Sequence, residues 1–161
     1  MIARNYQSAT LNQTLSCTAF ELSVAQVLSL LFTSRDLTLP DDAEAFANIM
    51  GYRILTDPDF VRLDNPKQKL SEGDKKALID FFHQVNALFF NPPVTRAEQI
   101  KQEKRAKLGI VVPVALRESY DNLLEECEIY TRWGHPGILE YPWSYFLTVR
   151  KHFNEWAEKV K

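Results

Sequence analysis

The stretch "SEGDKKALIDFFHQVNALFF", residues 71–90, decides how this chain is read. Ser71 is placed to cap a helix, with Glu72 and Asp74 in the first turn, where acids suit the positive end of the helix dipole. Leu78, Phe81, Phe82, Val85, Leu88 and Phe89 then recur at helical spacing and form one apolar face. Fully burying each such side chain contributes about 1.5–3 kcal/mol, so this helix is expected to anchor the core. Asn91, Pro92 and Pro93 follow, and proline stops a helix because it lacks the N–H and clashes with the preceding turn.

Upstream, "TDPDFVRLDNPKQK" (56–69) carries Pro58 and Pro66 in polar company and reads as a connecting segment. "LPDDAEAFANIMGYRIL" (39–55) predicts a helix capped by Asp41 or Asp42. Ala43, Phe46, Ala47 and Met50 share its face, and Gly51 either ends it or sits within it. Ser23 is the cap of an earlier helix, in which Val24, Val27, Leu28 and Leu31 fall on one side, ending near Arg35. In "QTLSCTAFEL" (13–22), Leu15, Cys17 and Ala19 alternate with Ser16 and Thr18, which suits a short strand or a hairpin edge. The first ten or so residues read as loose.

Downstream, "TRAEQIKQEKRAKLG" (95–109) has a cap in Thr95 and a terminator in Gly109. Its apolar face is thin, with Ala97, Ile100 and Leu108, so an exposed or bridging helix is expected, or one that packs only when a partner arrives. "IVVPV" (110–114) is an extended link or edge strand. "ALRESYDNLLEECEIYTRW" (115–133) predicts a strong helix with Leu116, Tyr120, Leu123, Leu124, Cys127 and Tyr130 near one face, broken by Gly134, Pro136 and Gly137. The last helix begins around Pro142, and Tyr145, Phe146, Val149, Phe153, Trp156 and Val160 form its stripe. Of that stripe, Val149, Phe153 and Trp156 are expected to face the core.

The fold class is therefore mainly α: five or six helices in one compact domain, with a small N-terminal β element. Residues 1–92 form a helical body with the short β element, 93–113 a charged helix and link, and 114–161 a C-terminal helical hairpin. The length of 161 residues suits one domain with a real core. The composition, 45% hydrophobic and 25% charged, is that of a folding chain.

The formal net charge of −2 lacks the basic excess of a nucleic-acid binder. Two cysteines, Cys17 and Cys127, are too few for a disulfide framework and are expected as buried apolar residues of a reducing cytoplasm. No apolar run approaches the length needed to cross a bilayer, and the polar opening lacks the apolar core of a signal peptide. A cytoplasmic protein is expected.

Candidate chemistry is sparse. His152 and Glu155 share a helix face and could ligate a metal, but one such pair does not make a site. Glu125 and Glu128 could in principle do acid–base work, although acidic helix faces are usually solvated. Lys101, Lys104, Arg105 and Lys107 could contact phosphate, or form a solvated face with a Glu103–Lys107 pair. No cofactor or metal site is expected. The aromatics say more. "EYPWSYF" (140–146) packs four large rings into seven residues, and Tyr and Trp concentrate at interfaces because they bury a large body beside a wet tip. Tyr141, Trp143, Tyr145 and Phe146 are candidate partner contacts, together with Phe90, which lies off the main stripe of its helix.

"TAFELSVAQVLSLL" (18–31), with Phe20, Leu22, Ser23, Val24 and Gln26, resembles the strand-to-helix opening of tail assembly chaperones from long-tailed bacteriophages. "RWGHPGILEYPWSYF" (132–146), with Trp133, Gly134 and Pro142, is similar in character to the C-terminal break and apolar helix of that family. The resemblance covers the stretch up to Arg35 and the last part of the chain, and the middle has no counterpart. It implies a non-catalytic protein that holds the long apolar tape-measure protein while the tail tube forms, and self-association is compatible with that role. The rival readings are a virion adaptor (connector or tail-completion subunit), a small helical enzyme and a nucleic-acid-binding regulator.

Overall fold

The structure, a computed structural model, describes residues 4–34, 40–90, 96–108 and 118–160. Strands β1 (Tyr6–Leu11) and β2 (Leu15–Phe20) form a hairpin, followed by helices α1 (Val24–Ser34) and α2 (Pro40–Thr56). Strand β3 (Val61–Leu63), helix α3 (Glu72–Val85), the single turn α4 (Ala87–Phe90) and helix α5 (Arg96–Lys107) come next. Helix α6 (Tyr120–Arg132), a 3-10 turn (Ile138–Glu140) and helix α7 (Trp143–Lys159) complete the order. The fold is mainly α with a small antiparallel sheet of order β1-β2-β3.

The opening residues are not loose from Tyr6 on. They form β1, which pairs with β2 from Tyr6↔Phe20 to Leu11↔Leu15. The turn between them puts Asn12 and Gln13 at positive φ (49° and 71°), a region Asn enters more readily than most residues. That hairpin lacks the Asn-Gly or Asp-Gly signal that marks such turns in sequence. β2 is therefore the central strand rather than an edge. Its alternation is as expected: Leu15, Cys17 and Ala19 are buried, and Ser16, Thr18 and Phe20 are half-buried. The segment around Pro58 and Pro66 also holds more than a connection, since Val61–Leu63 pairs with Ala19–Cys17.

Ser71 caps α3 as expected. Its hydroxyl accepts from Asp74 N–H (3.1 Å), and the Asp74 carboxylate accepts from Ser71 N–H (3.1 Å). Asn12 in the hairpin turn donates to the same carboxylate (3.0 Å). This bond from Asn12, with those from Ser71, holds the Asp74 carboxyl below its ordinary pKa. The helix does not run through Phe89. It stops at Val85, and Asn86 separates it from α4, so Phe89 is buried while Leu88 is exposed. Gly51 sits within α2, where an added Cβ would lie 3.5 Å from the Ile79 side chain of α3.

α3 is not the hub of the helices. It packs on the sheet and α2, whereas α1 touches α6, α7 and the 3-10 turn. α1 buries Val24, Val27, Leu28, Leu30 and Leu31. One continuous cluster of buried residues joins β2, α1, α2, α3, α6 and α7, so the C-terminal helices share the core of the N-terminal body. Cys17 and Cys127 lie in that core, and burial raises the Cys17 thiol and pushes the Cys127 thiol up to about 11. Phe46, the caps at Thr95 and Gly109 and the run "IVVPV" lie outside what the structure describes. Among the described residues, no helix is long and apolar enough to cross a membrane.

The segment Phe20–Val24 ties these parts together. Leu22 N–H donates to Asn86 Oδ1 (2.7 Å), and Asn86 Nδ2 donates to the carbonyls of Phe20 (3.0 Å) and Phe82 (3.2 Å). On the other side, Trp143 N–H donates to Leu22 C=O (2.8 Å) and Val24 N–H to Tyr141 C=O (3.0 Å). A buried donor stripped of its acceptor costs about 1–3 kcal/mol. Asn86→Ala strips the Leu22 N–H and frees the Phe20 carbonyl, and is expected to destabilise the fold by about 2–3 kcal/mol in urea unfolding.

Candidate protein-binding surface

The rings of "EYPWSYF" are divided by the geometry of the α7 start. Pro142 occupies the cap position and offers no side-chain hydrogen bond to the helix. Glu21, buried between β2 and α1, supplies it instead. Its Oε1 accepts from Ser144 N–H (2.6 Å) and its Oε2 from Asn5 Nδ2 (2.7 Å). A carboxylate at a helix N-terminus satisfies an otherwise unpaired N–H and complements the dipole. This contact orients the first turn of α7. It sends Trp143 and Phe146 inward, stacked with ring centroids 5.0 Å apart, and leaves Tyr145 outward.

Trp143 is 2% exposed and Phe146 fully buried, so both are core residues and not partner contacts. Phe89 packs edge-on to Trp143 at 5.6 Å, which locks α4 onto α7. Phe90 is half-buried rather than free. It meets Phe82 (6.0 Å), Phe89 (5.1 Å) and His83 (4.3 Å). Burial holds the His83 ring below its ordinary pKa, against the raising effect of Asp80. Tyr141 is half-buried, and Tyr145 is 40% exposed.

Tyr141 and Tyr145 belong to a longer aromatic ladder. Tyr145 meets Tyr141 edge-on at 4.7 Å, and Tyr141 meets His135 at 5.6 Å, with Tyr141 Oη and His135 Nδ1 2.9 Å apart. His135 leads to Trp133 (6.0 Å), and Trp133 to both Phe153 (5.3 Å) and Trp156 (6.0 Å). Trp133 and Trp156 are 38% and 47% exposed, so Trp156 does not face the core as the stripe of α7 suggested. Ile129 lies one turn before Trp133 and Val160 one turn after Trp156, and both are exposed. A contiguous half-exposed aromatic face results.

Sequence reading missed Trp133, His135 and Trp156 as members of this face. Trp133 and His135 flank Gly134, which turns the chain with φ 109°, a conformation that suits glycine. That turn brings the end of α6 back beside α7. The only sequence signal was a Trp next to a helix-ending Gly.

Between α6 and α7, next to the buried rings of Trp143 and Phe146, the contact is polar. Arg150 of α7 pairs with Glu118 through both of its terminal nitrogens (2.8 and 3.0 Å) and with Glu126 of α6 (3.0 and 2.9 Å). Tyr130 Oη donates to the same Glu126 (2.8 Å). Burial works against the Arg150 charge, but its bonds to the two carboxylates outweigh it and hold the guanidinium protonated. Burial, then the bond to Glu126, raises the Tyr130 hydroxyl above its ordinary value. The guanidinium also lies over the rings of Phe146 (5.0 Å) and Trp143 (5.7 Å).

The other candidate groups are not brought together. His152, Glu155, Glu125 and Glu128 are exposed, and among the described residues no three His, Cys, Asp or Glu cluster as metal ligands. Lys101, Lys104 and Lys107 are exposed on α5, and the Arg105 side chain lies outside what the structure describes. An open cleft of about 310 Å³ lies beside the aromatic face, lined by Arg4, Glu21, Gln26, Asp59, Leu139 and Pro142 among others. Its one lining arginine is already engaged, by Gln26 Oε1 (3.1 Å), the Asp59 carbonyl and the ring of Phe20 (4.5 Å).

Comparison with protein-family models, with curated proteins and with solved structures gives no match.

Two outcomes check this geometry. Arg150→Ala leaves two half-buried carboxylates without their cation and is expected to cost about 2–3 kcal/mol in chemical unfolding, less than a fully buried pair because water still reaches the site. In acrylamide quenching of tryptophan fluorescence, Trp133→Phe and Trp156→Phe each reduce the quenchable fraction, while Trp143→Phe, which removes the buried emitter, raises it.

Proposed function

We propose that this protein is a non-catalytic binding protein of the cytoplasm, a tail assembly chaperone that holds an apolar helical client such as a tape-measure protein. The observation that carries the reading is the aromatic face running from Tyr145 through Tyr141, His135 and Trp133 to Trp156. Rigid aromatic rings supply contact area at low entropic cost and dominate binding energy at interfaces. The ladder is held by ring-to-ring contacts, including those of Trp133 and Trp156 with the half-buried Phe153, so little ordering is left for the moment of binding.

The chemistry of the face favours an amphipathic helix. Its exposed members are ring faces and aliphatic tips, with Tyr hydroxyls as its polar points, and such a surface takes apolar side chains at i, i+3, i+4 and i+7. The resemblance of "TAFELSVAQVLSLL" and "RWGHPGILEYPWSYF" to tail assembly chaperones supplies the class of client. The candidate contacts are Tyr141, Tyr145, Trp133 and Trp156. Phe90 contributes only its free edge, and Trp143 and Phe146 act beneath the surface.

Co-expression with the product of whichever reading frame downstream of its gene is longest tests the proposal. The client is expected to become soluble and to co-purify. Tyr145→Ser and Trp156→Ser are expected to weaken capture by about tenfold or more, with the unfolding midpoint little changed because both rings are already part-solvated. A client that stays insoluble while this protein purifies alone overturns the reading. Retention of the protein in finished particles would favour a virion adaptor instead.

A further inference from the structure

β1 has no neighbour on its outer side among the described residues. Asn5 C=O accepts from Glu21 N–H (2.9 Å), and the same register sets Gln7 against Ala19, Ala9 against Cys17 and Leu11 against Leu15. Across β2 the even-numbered residues bond the other way: Phe20 N–H donates to Phe60 C=O (3.0 Å) and Asp64 N–H to Ser16 C=O (3.0 Å). In an antiparallel ladder, residues that bond toward one neighbour alternate with residues that bond toward the other. The backbone groups of Tyr6, Ser8 and Thr10 therefore point out of the sheet edge. No hydrogen bond from a described residue reaches them.

Native sheets blunt such an edge with Lys, Pro, a bulge, a very short strand or a covering element. Among the described residues, β1 has none of these. Its sequence, Tyr-Gln-Ser-Ala-Thr-Leu, has no charge, no proline and no glycine, and it pairs with β2 along its whole length without a bulge. The opposite edge is blunted: β3 has three residues, with Asp64 and Pro66 just beyond. The contrast between the two edges singles out β1.

We propose that the β1 edge pairs antiparallel with β1 of a second copy of this chain, joining the two sheets about a two-fold axis at Ser8. An outward-bonding residue must face another. The register with Ser8 opposite its own copy is the one in which Tyr6, Ser8 and Thr10 all find partners, Tyr6 facing Thr10. Gln7 then faces Ala9. Each pair is uncharged, so self-pairing brings no like charges together, and Tyr opposite Thr is a favourable aromatic–β-branched pair. A two-fold interface requires this self-complementarity. Tyr6 is 64% exposed, with its ring 6.2 Å from Phe20, and is free to cover the facing Thr10. The pairing is independent of client binding, whose residues lie on α6, α7 and the turn between them.

The test is sedimentation equilibrium of the full chain over a dilution series. A reversible dimer is expected. Ser8→Lys sets two like charges opposite each other at the axis. Ser8→Pro removes the outward N–H, and proline is tolerated on an open edge. Each is expected to weaken the dimer by about tenfold or more, with the far-UV circular dichroism of the diluted monomer unchanged. Ser8→Cys is expected to cross-link the pair on oxidation, because hydrogen-bonded residues in such a ladder lie about 5.5 Å apart at Cα, within disulfide reach. A chain that is monomeric at every concentration overturns the proposal. So does a dimer that Ser8→Lys and Ser8→Pro leave intact and Ser8→Cys does not cross-link.

Discussion

The sheet, the end of α3 and the start of α7 meet at five residues, Phe20–Val24, where the chain leaves the sheet and enters α1. A strand-to-helix junction leaves backbone groups without partners, and in the interior each must find one. Here the partners come from distant segments. Asn86 takes Leu22 N–H and returns its own amide to Phe20 C=O, which pins the end of α3 against the junction. Leu22 C=O and Val24 N–H bond to the backbone at Trp143 and Tyr141, which pins the start of α7. Glu21 closes the arrangement by capping α7 through Ser144 N–H and holding Asn5. One junction thus sets where α3 ends, where α7 begins and where the N-terminal strand attaches.

The surface follows from that constraint. With the first turn of α7 held by Glu21, the rings of a compact aromatic cluster take alternate fates. Trp143 and Phe146 complete the core with Phe89, and Tyr141 and Tyr145 remain at the surface. The Gly134 turn then adds Trp133 and His135 from the end of α6, and Trp156 arrives from three turns further along α7. Beside the buried Trp143 and Phe146, Arg150 joins Glu118 and Glu126. The contact between α6 and α7 is thus made by side chains, the Arg150–Glu126 pair and the rings of Tyr130 and Trp133 on Phe153. Such a pair contributes less to net stability than to keeping one arrangement of the helices, since any slip leaves partly buried charges unpaired.

Local signals were legible where physics is local. Helical spacing marked α1, α2, α3, α6 and α7, Ser71 and Ser23 marked their caps, and alternation marked β2, because each depends on residues within one turn or one strand of each other. β1 and β3 were not legible. Their residues are polar, or lie between prolines, and they are strands because β2 offers them a ladder. The break at Asn86 was hidden for a similar reason. The Asn86 side chain bonds one carbonyl of its own helix, that of Phe82, but its other partners, the Phe20 carbonyl and Leu22 N–H, lie more than sixty residues away.

The amino-acid sequence by itself determined that this is a mainly helical chain with a short N-terminal β element, two buried cysteines and an aromatic-rich C-terminal part. Periodicity and composition suffice for that, since they report which side chains leave water. Which aromatic rings leave water was decided only by tertiary structure. Trp143 and Tyr145 lie two residues apart in a run of similar rings, and the difference between core and surface is the direction in which Glu21 aims the first turn of α7. The same holds for the open edge of β1, because an edge exists only once the strands on either side have been counted.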